Sequence, residues 1–193
     1  PSRLRPHINT FYNFARAIDD IADSNSINAP EKIERLSGFE NAILGKDNTS
    51  PGFSKAHSMR LSLQETGVTN RHCIELIKAF KQDATKLRYE NWDELIDYCQ
   101  MSAAPVGRYL LDLHGESNKK YQASDALCNA LQVLNHLQDC KDDYLTLNRV
   151  YLPLDWMKIN GLEVENLLIM GLESLGSYFL GKIADLLINF LGD

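Results

Sequence analysis

Four polar side chains on one line of a single expected helix are the residues most able to do chemistry here. Gln132, Asn135, Asp139 and Asp143, in ALQVLNHLQDCKDDYLTL, are spaced i, i+3, i+7 and i+11. At 3.6 residues per turn they fall close to one stripe. Val133, Leu134, Leu137 and Cys140 lie between them and suit a core. Two amides and two carboxylates in an apolar setting are costly to bury unless something satisfies them. A divalent cation with a phosphorylated ligand would do so. A second candidate lies near the start of the chain, where FYNFARAIDDIADS carries Asp19 and Asp23 four residues apart. The expectation is that these two helices face one another across a cleft.

Spacing alone is weak evidence, because Asp-x-x-x-Asp occurs three times, at Asp19/Asp23, Asp93/Asp97 and Asp139/Asp143. Surroundings separate the three. Asp93 and Asp97 have acidic company near a helix start, where carboxylates suit the helix dipole, and are assigned to a solvated face. Asp19 and Asp23 follow Arg16 and Tyr12, each a turn apart, while Asp139 and Asp143 follow Gln132 and Asn135 and precede Arg149. Carboxylates one turn apart can share Mg²⁺, with water and phosphate oxygens completing an octahedron. Amides can orient a diphosphate and Arg can pair with it bidentately. The competing reading is that both pairs are acid-rich solvated faces.

Other chemistries lack their residues. Di-iron bundles need Glu-x-x-His on two helices, and the chain has no such run. Ser-nucleophile signatures and Gly-rich phosphate loops are also missing. His136 adjoins the stripe but lies off its line, so it is read as packing or support. The net charge of −6 argues against nucleic acid as a partner, since there is no basic excess to displace counterions. The four scattered cysteines, without zinc spacing, read as small core residues of a reduced, cytoplasmic protein.

The elements that must position these groups are helices throughout. Residues 1–193, 44% hydrophobic, suit one globular domain. The chain opens at Pro1 without an initiator Met, and a piece cut at one or both ends is expected. Helical periodicity predicts His7–Asp23, Pro30–Leu44, Phe53–Thr66 and Asn70–Lys86, with Gly45 and Gly67 as stops. A helix capped by Asn91 should run from Trp92 to Leu113 and break near Pro105 and Gly107. A long helix capped by Ser124 should reach Leu147, followed by an irregular stretch to Pro153, a short turn closed by Gly161, and helix from Glu163 to Leu191. That stretch is interrupted by Gly171 and Gly176, and its last part, Glu173 to Leu191, is apolar with only Lys182 as a cation; bundle packing is expected, and peripheral membrane contact is the alternative. The fold class is an all-α bundle.

FARAIDDIAD and NHLQDCKDDY followed by NRVYLP resemble the two aspartate motifs of the squalene/phytoene synthase family. The segment from Tyr89 through YCQMSAAPVGR resembles its central helix, and the likeness runs from about His7 to Trp156. SAAPVGR and LPLDW look closest to the bacterial hopanoid-pathway members. The resemblance implies a single-domain isoprenoid-synthase-type bundle with a central cleft between two Asp-rich helices. It implies Mg²⁺ on Asp19, Asp23, Asp139 and Asp143 as the catalytic and metal-binding set. It implies an isoprenyl diphosphate substrate met by Arg16, Tyr12, Gln132, Asn135, Arg149, Tyr151 and Arg108. The implied activity is head-to-head condensation of farnesyl diphosphate through presqualene diphosphate to squalene or hydroxysqualene, with NADPH not required by anything in the sequence. Candidate liners of an apolar cavity are Tyr12, Phe14, Phe80, Tyr98 and Tyr109, for which plain core packing is the alternative. Three further readings stay open: head-to-tail synthesis, because Asp19, Asp20 and Asp23 spell DDxxD; a member that takes presqualene diphosphate to hydroxysqualene by water capture rather than joining two farnesyl units; and a non-catalytic relative serving as a binding or assembly protein.

Overall fold

A computed structural model describes residues 1–168 and Ala184. Eight α-helices follow in chain order among the described residues: α1 (Arg5–Ala22), α2 (Ala29–Ile43), α3 (Ser54–Thr66), α4 (Arg71–Asp83), α5 (Trp92–Ser102), α6 (Ala104–Leu113), α7 (Tyr121–Leu147) and α8 (Leu154–Ile159). The only strand-like pairing described is an isolated parallel bridge between Arg88 and Val150. The all-α class read from periodicity is therefore the observed one. The predicted helix over 163–191 lies outside the described residues beyond a 3-10 turn at Val164–Leu168.

The chain forms two compact units. One comprises residues 1–85 and 105–120, the other residues 86–104 and 121–193. In the first, α1 to α4 and α6 enclose a core that includes Phe11, Phe14, Ile18, Leu36, Met59 and Ile77. Phe11 of α1 stacks on Tyr109 of α6 with ring centroids 3.9 Å apart, and the Tyr109 hydroxyl donates to the His7 carbonyl at 3.2 Å. Burial pushes that hydroxyl up to about 12, so it stays a donor. Phe14 and Tyr109 are thus packing residues of this core, and Phe80 lies partly buried against it. Tyr12 is the exception among the expected liners, at 65% exposed.

Local chemistry explains several of the helix ends. The Asn28 and Asn91 side chains accept from the Glu31 and Glu94 amides at 3.0 and 2.9 Å, capping α2 and α5. Gly67 ends α3 with φ 72°, a left-handed conformation that costs a residue with Cβ. The break in the central segment falls at Ala103, before Pro105. Pro105 then sits in the first turn of α6, where its missing N–H leaves no hydrogen bond unmade.

Two boundaries differ most from expectation. Helix α4 ends at Asp83 rather than Lys86, and α7 begins at Tyr121, ahead of Ser124. The residues between α4 and α5 have another use in the second unit. Leu87 and Tyr89 carbonyls accept from Val150 and Leu154 amides, both at 2.9 Å, and the Glu90 carbonyl accepts from Asp155 at 3.0 Å. This short extended segment straps the chain that follows α7.

Candidate active site

The aspartates predicted to act together are carried by different units, the first pair on α1 and the second on α7.

On α1, the polar line Tyr12, Arg16, Asp19, Asp23 flanks the buried side of Phe11, Phe14, Ile18 and Ala22. The helix is amphipathic, and burying the apolar side turns the polar line outward. Arg16 donates from Nη1 to Asp19 Oδ2 at 2.8 Å and from Nη2 to Asp20 Oδ1 at 3.0 Å. The guanidinium therefore ties two neighbouring carboxylates, a role for Asp20 that the Asp19/Asp23 spacing did not suggest. Asp23 is exposed at the C-terminal cap of α1, and Asp19 is half-buried. Arg108, in the same unit, has its Nη1 3.7 Å from Glu75 Oε2, and Arg71 Nε donates to the other Glu75 oxygen at 2.7 Å. Structural pairing thus engages Arg108.

On α7, Asn129, Ala130, Val133, His136 and Leu137 form the buried side. The amide and carboxylate stripe runs along its edge: Gln132 and Asp143 are half-buried, while Asn135 and Asp139 are exposed. The stripe is therefore not enclosed in an apolar setting, as the sequence reading supposed, because His136 rather than Asn135 occupies the inward position. The control pair, Asp93 and Asp97, is exposed near the start of α5, as expected.

The loop beyond α7 is held from both ends. Asn148 takes φ 51°, a left-handed conformation that Asn tolerates, and ends the helix. The Arg149 amide then donates back to the Asp143 carbonyl at 3.2 Å. Arg88 donates to the Asn148 carbonyl and, at 2.8 Å, to its Oδ1. This turn sends Arg149 and Tyr151 inward, where both are buried. Arg149 Nη1 donates to the Tyr151 hydroxyl at 3.1 Å, and that hydroxyl lies 3.3 Å from the hydroxyl of Tyr98. Tyr89 and His136 complete the cluster, with ring centroids 5.4 and 3.6 Å from Tyr151. Tyr98 belongs to this packed group.

His136, read from the sequence as packing or support, is buried on α7. Its Nε2 lies 3.3 Å from Gln132 Nε2, one turn back on α7. Burial, and then the nearby Arg149 charge, lower its pKa to about 3. The ring is therefore neutral at ordinary pH and able to accept. The available signal was the i, i+4 spacing from Gln132, which places the two side chains on adjoining turns.

Among the described residues no three His, Cys, Asp or Glu side chains gather closely enough to hold a metal ion. The donor chemistry nonetheless fits Mg²⁺. That ion takes one or two carboxylates and completes its octahedron with water and substrate phosphate, so two aspartates one turn apart on an outward face are an adequate protein contribution. Among the described residues no cysteine is disulfide-bonded and no helix is long and apolar enough to cross a membrane.

The model of the squalene/phytoene synthase family matches residues 1–177, and the chain belongs to that family. It is 52% identical over 165 residues to hydroxysqualene synthase of Rhodopseudomonas palustris, covering 86% of this chain and 56% of the relative. The corresponding protein of Sinorhizobium fredii is 49% identical over the same shares. The chain thus spans about half the length of the curated relatives it matches. The crystal structure of squalene synthase HpnC from Alicyclobacillus acidocaldarius superimposes with a TM-score of 0.72 at 28% identity, covering all of this chain and 81% of that one. A dehydrosqualene synthase solved with a ligand has a TM-score of 0.81 at 21% identity, covering all of this chain and 68% of that one, which shows a shared fold.

Proposed function

We propose that this protein acts in Mg²⁺-dependent head-to-head prenyl transfer on farnesyl diphosphate through presqualene diphosphate, with hydroxysqualene as the product and squalene as the alternative. The observation that carries the reading is the 52% identity to a hydroxysqualene synthase. The outward carboxylate pairs of α1 and α7 support it, because diphosphate departure needs that donor set.

In this reading Asp19, Asp23, Asp139 and Asp143 would hold Mg²⁺, which when bound supplies Lewis-acid neutralisation of the leaving diphosphate. Arg16 already presents both guanidinium edges to carboxylates and can exchange one for phosphate oxygens. Gln132 and Asn135 offer amide donors on the same edge of α7 as Asp139. Tyr12 exposes its ring one turn before Arg16. Arg149, Tyr151 and Arg108 contribute as substrate-site residues, the first two through the buried cluster behind Gln132. The cation left when presqualene diphosphate ionises needs shelter from bulk water until a single water adds to give the C30 alcohol with loss of a proton. Hydride from NADPH in place of that water would give squalene.

The test is mass spectrometry of products after incubation with Mg²⁺ and either farnesyl or presqualene diphosphate, with and without NADPH. A C30 alcohol formed without NADPH is the expected result. A C30 hydrocarbon that requires NADPH would move the product to squalene. A linear, chain-extended diphosphate would establish head-to-tail synthesis instead, and no turnover with retained analogue binding would favour the binding relative.

A further inference from the structure

We propose that His136 is a positioning residue, whose ring sets the rotamer and amide orientation of Gln132 and keys it to the loop that carries Arg149 and Tyr151. The inference rests on the reading of Gln132 as a diphosphate-site residue. The geometry is specific to this side chain. One edge of the ring meets the Gln132 amide, with Nε2 to Nε2 at 3.3 Å. One face lies on the Tyr151 ring, at 3.6 Å between centroids and 19° between planes. The Tyr151 hydroxyl in turn accepts from Arg149. A single buried imidazole thus touches both the helix and the loop of the second unit.

Three requirements follow from that placement. An amide nitrogen can only donate, so the imidazole Nε2 must accept, which requires a neutral ring protonated on Nδ1. Burial at 6% exposure and the neighbouring Arg149 charge both favour the neutral form. With one amide hydrogen committed to His136, the other hydrogen and the carbonyl oxygen of Gln132 are set in direction before ligand arrives. A Phe at this position would keep the stack and lose the acceptor; a Leu would lose both.

The test separates the positioning claim from the functional reading. In the ligand-free full chain, nitrogen-15 NMR should show His136 as the Nδ1–H tautomer. The Gln132 side-chain amide resonance should shift in His136→Phe while the melting curve stays cooperative. With Mg²⁺ and farnesyl thiolodiphosphate, His136→Phe should weaken binding about three- to tenfold, the usual worth of one orienting hydrogen bond. In a double-mutant cycle it should add nothing to the loss caused by Gln132→Ala. A protonated Nε2, an unmoved Gln132 amide, or additive losses would overturn the proposal. If the amide and tautomer results hold but the unsubstituted chain binds no analogue, the positioning of Gln132 stands and the diphosphate reading falls.

Discussion

The ring of His136 lies nearly flat on the ring of Tyr151, 3.6 Å between centroids, although fifteen residues and the end of a helix separate them. This contact joins the polar stripe of α7 to the loop that follows it. It also predicts how the second unit responds to acid, to substitution and to ligand.

The pH response comes from the buried imidazole. Its folded-state pKa is depressed to about 3, below the ordinary value of 6.5. Between those values the unfolded chain binds a proton that the folded chain does not, so stability falls as pH drops through 6.5 and keeps falling towards 3. The slope approaches about 1.4 kcal/mol per pH unit for one such group. Chemical denaturation at pH 7, 6 and 5 should show this loss, and His136→Phe should flatten it over that window.

Tyr151→Phe keeps the stacked ring and removes the oxygen that accepts from Arg149. A hydrogen bond to a charged donor in a buried setting is worth about 1.5–3 kcal/mol. The variant should lose stability in that range, read by denaturant midpoint at constant slope. A loss under half a kcal/mol would show that Arg149 is held by other contacts.

The aspartate assignment has its own control inside the chain. Asp19→Asn and Asp139→Asn should each abolish Mg²⁺-dependent binding of farnesyl thiolodiphosphate in calorimetry and leave thermal unfolding within about 1 kcal/mol, as for outward-facing side chains. Asp93→Asn, on an exposed face of α5, should change neither. Unchanged affinity in both of the first two variants would sink the metal reading.

Gly38 of α2 tests the packing of the first unit. A Cβ there would lie 2.0 Å from the Phe53 ring, and Phe53 in turn packs edge-on against Phe39 at 5.5 Å. Gly38→Ala should therefore destabilise by about 1–3 kcal/mol despite the better helix propensity of Ala. At Gly67 a Cβ meets nothing within 4 Å, and only the left-handed φ of 72° opposes it. Gly67→Ala should cost about 1–2 kcal/mol, and thermal melts of the pair would separate crowding from backbone strain.

Much of this protein is legible in the order of its residues, because helices are built from neighbours three and four apart. Periodicity places the helices, Asn91 caps α5 with its own side chain, and Gly67 marks where α3 must stop. The outward line of Tyr12, Arg16, Asp19 and Asp23 follows from the apolar side of α1, and the solvated fate of Asp93 and Asp97 follows from their position at a helix start. Family membership, too, could be read from short motifs. What the tertiary structure decided depends on partners far apart in the chain. Nothing local tells residues 87–90 to pair as an extended segment, since the backbone groups that meet them belong to residues some sixty positions on. Nothing local shows that His136 stacks on Tyr151, since that contact arrives only after Asn148 turns the chain back. Spacing along a helix assigns a side chain to a face; only the packing of a distant loop on that face decides which of its polar groups is buried and what it holds.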